Sequence, residues 1–135
     1  VQALPDQPLA VERCRASNTE EAIMASIYRA ARDVIIRTEA WEEAKAFYGS
    51  VLGLRRTYET ETMVGFEAGA LCLYVEKGKP HGPVLEFIAD DVQAVKRKLL
   101  LAGCTIQEED ASAPRCYLRD PYGLVFNIGQ GERTA

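Results

Sequence analysis

Two carboxylates lie inside apolar runs that read as strands. Asp33 precedes Val34-Ile35-Ile36, and Glu86 stands between Val84-Leu85 and Phe87-Ile88. A carboxylate with such neighbours must either face a cavity or pair with a base, because an unpaired buried charge is costly. Facing a cavity, it can hold a cation, accept a hydrogen bond or exchange a proton. Strand alternation puts Asp33, Ile35 and Arg37 on one face, and Val84, Glu86 and Ile88 on one face of a second strand. Arg37 is therefore the natural partner if Glu86 is paired, and both readings of Glu86 stand open. Tyr74, Tyr117 and Arg119 occupy further strand-like runs. Aromatic rings beside a carboxylate suit flat or cationic ligands. The alternative is that these tyrosines pack at the sheet edge.

Other chemistries find little material. There is no G-x-S-x-G elbow, no phosphate-binding loop and no dinucleotide glycine fingerprint. Cys14, Cys72, Cys104 and Cys116 form no C-x-x-C spacing, and His81 is the one histidine. That is poor material for a zinc or redox site, and the thiols read as reduced in a cytoplasmic protein. The chain has 135 residues with 16 Lys+Arg against 20 Asp+Glu, a net charge of -4. It carries no basic face for nucleic acid and no apolar run of the roughly 18 residues that would cross a bilayer. No signal peptide is expected.

The elements that must position these residues follow from periodicity. Val34 to Thr38 reads as a strand, and Thr38 is placed to cap the next element. Trp41, Ala44, Phe47, Tyr48, Val51 and Leu52 recur at helical spacing, and Gly53 ends the run. Three short strands follow, Leu54 to Glu59, Met63 to Glu67 and Leu71 to Glu76. The order then repeats. Pro83 to Ala89 reads as a strand, and Asp90-Asp91 caps a helix striped by Val92, Val95, Leu99 and Ala102. Beyond Gly103 come strands over Cys104 to Glu109, Arg115 to Arg119 and Leu124 to Ile128. Asp120-Pro-Tyr-Gly123 has the residue order of a tight turn. The halves superpose at an offset of about 50 residues, which marks an internal duplication. Residues 1–25 read as a peripheral N-terminal arm. Its first 23 residues are either sequence upstream of a natural start at Met24 or a segment whose Ser17-Asn-Thr-Glu20 forms a capping box. Residues 131–135 read as a tail.

Thr38-x-x-Trp41, Ala46-Phe-Tyr48 and Val51-Leu-Gly-Leu54 together resemble the first helix of the vicinal oxygen chelate superfamily, which holds glyoxalase I, the bleomycin-resistance proteins and the extradiol dioxygenases. Phe87-Ile-Ala-Asp-Asp-Val92 and Tyr117-Leu-Arg-Asp-Pro-Tyr-Gly-Leu-Val-Phe126 agree with it. The resemblance implies an α+β fold over residues 26–130. Two βαβββ modules, about 26–78 and 83–130, have curved mixed sheets that enclose a cleft, often in a homodimer. In metal-dependent members, His, Glu or Gln hold a divalent ion at three strand positions. Carried over, those positions are Asp33, Val84 and Asn127. Val84 cannot coordinate, and Asn127 offers a neutral carbonyl oxygen, a weak ligand for such ions. No metal and no other cofactor is expected.

A cleft without a metal must work by shape, stacking and charge. The expected ligand-binding set is Asp33, Ile35, Arg37, Tyr74, Val84, Glu86, Tyr117 and Asn127. The resulting expectation is a small-molecule binding or sequestration protein of the bleomycin-resistance type, with a flat, cationic ligand. It carries no partner role with nucleic acid or membrane. The alternative is a metal-dependent lyase, isomerase or dioxygenase of the glyoxalase type, and the residues alone leave catalysis open. A third reading is a dimerising module whose cleft is filled by side chains.

Overall fold

The computed structural model describes residues 27–112 and 115–131. The expected arm and most of the tail lie outside the described residues. The elements in chain order are β1 (Ile27–Thr38), α1 (Trp41–Ala46), β2 (Arg55–Glu59), β3 (Met63–Ala68), β4 (Leu71–Lys77), β5 (His81–Ala89), α2 (Val92–Leu101), β6 (Thr105–Asp110), β7 (Arg115–Arg119) and β8 (Val125–Gln130). Among the described residues these form one mixed sheet of eight strands with two short helices. The strand order is β2-β3-β4-β1-β5-β8-β7-β6.

Pairing in the two halves runs alike. β1 is parallel to β4 and β5 is parallel to β8, while the outer pairs are antiparallel. The halves join where β1 lies antiparallel to β5. That seam is irregular. Between the pairs Ala30↔Phe87 and Val34↔Leu85, β1 advances four residues where β5 advances two. The extra residues bulge, and a bulge re-aims the side chains within it. Asp33 lies in this bulge, across from Glu86.

Strand alternation gives each half a covered face. Under α1, Val64, Phe66 and Val75 pack with Trp41, and Ile36, Tyr48 and Leu54 close around them. The Trp41 indole donates to the Val75 carbonyl at 2.9 Å, so its one polar group is satisfied inside the core. Under α2, Ala89, Val95, Leu118, Phe126 and Ile128 pack together, with Leu85 and Phe87 at the margin. The opposite face of the sheet carries Asp33, Arg37, Glu86 and Asn127.

Several local expectations need correction. β1 begins at Ile27, seven residues before the expected strand, because pairing with β5 extends it through a mixed stretch that no periodicity marks. Thr38 is not the helix cap. Its hydroxyl accepts from the Ala40 N–H at 3.0 Å, and the cap position is Ala40 itself. The first helix is α-helical only to Ala46, and a π-helical turn continues it from Phe47 to Val51. His81 begins β5 rather than lying in a turn. By contrast, the Asp91 side chain caps α2 by accepting from the Ala94 N–H at 3.0 Å. Gly53, Gly103 and Gly123 all have positive φ at chain reversals.

Candidate functional site

The residues expected to share one cleft fall into three adjoining environments, with Arg115 lying over the Tyr117 ring at 5.2 Å. Val84 and Tyr117 are buried together with Val125 in a small closed cluster. Each is about 2% exposed, so neither forms an open wall. The His81 ring packs edge-on against Tyr117, with centroids 5.6 Å apart. Burial pushes the Tyr117 hydroxyl above the usual tyrosine range.

Arg37 belongs to a second environment, a closed ring of charges. Its Nη2 donates to both oxygens of Glu108, at 2.9 and 3.0 Å. Arg115 donates to both oxygens of Glu76, at 3.0 and 2.9 Å, and to Glu108 at 3.0 Å. An Arg37–Glu76 contact at 3.5 Å completes the ring. Burial pushes the Glu108 carboxyl up, but the two guanidiniums outweigh it and hold the group below the usual carboxylate range. The expected alternative, Arg37 neutralising Glu86, is therefore set aside, because Arg37 is engaged by Glu76 and Glu108. Glu76, Glu108 and Arg115 went unnoticed in the sequence because the ring joins two strand pairs, β1–β4 and β6–β7, that meet only after the sheet curls.

Glu86 and Asn127 form the third environment, with Asp33 nearby. The Asn127 Oδ1 accepts from the Cys116 N–H at 2.8 Å, and its Nδ2 faces Glu86 Oε2 at 3.4 Å. Glu86 has no ion-pair partner among the described residues. Burial pushes its carboxyl above the usual carboxylate range, and the charge of Asp33 adds to the push. Gly129 makes this placement possible, since a Cβ there would lie 2.3 Å from Glu86 Oε2. Glu86, Asn127, Arg115 and Gly129 all border a cavity of about 500 Å³. Ile35 and Tyr74 are half-buried neighbours across the β1–β4 pair. Tyr74 stacks edge-on with Tyr58 and covers Gly65, away from this cavity.

The three positions that would hold a metal ion in the resembling superfamily do not fit one here. Val84 is apolar and closed in by Tyr117 and Val125. Asn127 already engages a backbone N–H with its carbonyl oxygen. Asp33 alone is a single hard donor.

No protein-family model matches the chain, and no curated protein does. Solved structures do. A glyoxalase/bleomycin resistance protein/dioxygenase superfamily member from Vibrio splendidus 12B01 matches over 76% of this chain and 98% of its own, at 14% identity and a TM-score of 0.56. A homoprotocatechuate 2,3-dioxygenase variant from B. fuscum matches over 82% of this chain at 19% identity and a TM-score of 0.56. A Mn(II)-bound glyoxalase from Novosphingobium aromaticivorans matches over 81% at 21% identity and a TM-score of 0.50. The chain spans only 34% of that dioxygenase and 42% of that glyoxalase. At such identities the likeness is one of fold. The strand order, the paired parallel couplings and these neighbours together place the chain in the vicinal oxygen chelate fold.

Proposed function

We propose that this chain is a metal-independent small-molecule binding protein of the bleomycin-resistance type, with a flat, cationic ligand whose charge rests on Glu86. The observation that carries this reading is the Glu86 carboxylate itself. It borders a cavity of ligand size, lacks an ion-pair partner among the described residues, and stands over a glycine that leaves room for it. The paired halves, residues 26–78 and 83–130, are read as two βαβββ modules that frame the binding cleft, and a homodimer belongs to the same reading.

Binding follows from the electrostatics. Burial and Asp33 make the ionised form of Glu86 unfavourable, and the Asn127 hydrogen bond and the charge of Arg29 offset this only in part. A cation placed against it removes that penalty, so ligand binding and deprotonation are coupled. Asn127, anchored by the Cys116 N–H, holds one carboxylate oxygen in place. The metal-dependent alternative draws no support from Asp33, Val84 and Asn127, whose donors do not fit an ion.

The test is a thermal-shift series with benzamidine, benzamide and benzoate, three compounds of one shape and different charge. Benzamidine should stabilise the protein most, and Glu86→Gln should abolish the preference. A preference for benzoate, or a benzamidine shift unaffected by Glu86→Gln, would overturn the assignment.

A further inference from the structure

The cavity beside Glu86 is not confined to one face of the sheet. β7 and β8 pair over three residue couples only, from Arg119↔Val125 to Tyr117↔Asn127. Past that point both strands continue apart. Arg115 and Cys116 stay paired with Asp110 and Glu109 on β6, while Ile128, Gly129 and Gln130 stay paired with β5. The Asn127 side chain takes the Cys116 N–H that a strand partner would otherwise receive. The sheet is thus split into a wedge, and the carboxamide closes its apex.

Both faces line the cavity at this wedge. Glu86, Asn127 and Gly129 approach from the face away from the helices. Val92, Gln93, Cys116 and Ile128 line it too, and three of these belong to the packing beneath α2. Alternation along a strand sends Ile128 and Gly129 to opposite faces, and the cavity is lined by residues of both, Glu86, Asn127 and Gly129 of one and Val92, Cys116 and Ile128 of the other. Gly129 has no side chain to block the passage, and the Glu86 carboxylate occupies the space.

We infer that the wedge between β7 and β8 is a through-sheet binding slot for elongated aryl amidines or guanidines. The planar cation shares two N–H donors with the carboxylate of Glu86, a bidentate geometry suited to these groups. The rest of the ligand passes edge-on through the split and ends against Val92, Gln93 and Ile128. This assignment rests on the proposed cation site at Glu86 and extends it by naming the path and the chemical class.

The two ideas separate in one titration experiment. Benzamidine reaches only the carboxylate, whereas 4-phenylbenzamidine carries a second ring that would enter the α2 side. In the wild-type chain the longer probe should bind about tenfold tighter, since tenfold corresponds to about 1.4 kcal/mol, within reach of one added buried ring. Gln93 is exposed on α2, so Gln93→Trp should leave the fold intact by circular dichroism. It should erase the advantage of the longer probe and leave benzamidine affinity unchanged. Gln93→Ala should retain the advantage. Gly129→Ala, which pushes the Glu86 carboxylate aside without removing it, should weaken both probes at least about fivefold, roughly 1 kcal/mol. Equal affinity of the two probes in wild type, or an advantage that survives Gln93→Trp, overturns the slot while leaving the cation site standing. Absence of binding by both probes overturns both.

Discussion

Arg37 and Glu108 are joined by two hydrogen bonds of 2.9 and 3.0 Å although their strands, β1 and β6, lie four positions apart in the sheet. Strands in a flat sheet are spaced about 4.8 Å apart, so those backbones would be separated by about 19 Å. The sheet must therefore curl strongly for the side chains to meet. Arg115 and Glu76 make the reciprocal crossing from β7 to β4. The ring fastens the far edge of one half to the inner strands of the other.

That relationship predicts coupling between distant positions. A double-mutant cycle of Arg37→Met and Glu108→Gln, read by chemical denaturation, should give a coupling energy of about 1–3 kcal/mol, the range for residues in one charged network. The costs of the two single changes should sum to more than the cost of the double change, because each single change strips a half-buried charge of one of its two partners, leaving Glu108 only Arg115 or Arg37 only Glu76. Simple additivity would mean that the ring contributes no cooperative stability.

A second prediction concerns acid and base. Glu86 has a folded-state pKa raised above its unfolded value by burial and by Asp33, so the folded state binds the extra proton. Its contribution to stability is therefore present at acidic pH and lost as pH rises from the usual carboxylate range through the raised folded pKa. Glu108 runs the other way, since its depressed pKa gives stability above the usual carboxylate range that is lost as pH falls through the folded value. Thermal midpoints measured across pH should show Glu86→Gln gaining on wild type as pH rises through weakly acidic values. A constant difference at every pH would contradict the burial of that carboxylate.

The same shift governs ligand binding. Benzamidine affinity should rise with pH until Glu86 is ionised and then level off. Calorimetry in buffers of different ionisation enthalpy should detect proton release on binding near that transition. Affinity independent of pH would show that the cation rests elsewhere.

Gly123 tests the last hairpin. Its φ is +107°, a Cβ added there would meet nothing within 4 Å, and Asp120 holds the turn by accepting from the Tyr122 and Leu124 N–H groups. Gly123→Val should cost about 1–3 kcal/mol from backbone strain alone. An unchanged denaturation midpoint would mean that the turn relaxes to ordinary geometry.

Elemental analysis gives the last expectation. Protein purified without chelators should hold well under one divalent ion per chain, because Asp33 is the one charged donor among the three corresponding positions. A stoichiometric ion that disappears in Asp33→Ala would reverse the reading of Val84 and Asn127.

Residue order by itself determined the succession of elements, since helix and strand periods and the turn glycines are local properties. Asp91 as a cap, Gly53 and Gly103 as helix ends and the Asp120 turn were legible because each acts on its own neighbours. The face shared by Asp33, Ile35 and Arg37 was legible from alternation for the same reason. The tertiary structure alone decided which of those side chains meet. The β1 bulge sets Asp33 across from Glu86, the curl gives Arg37 to Glu108, and the β7–β8 pairing stops at Asn127. Each depends on register and curvature between strands far apart in the chain, and neither quantity is encoded in the period of any single strand.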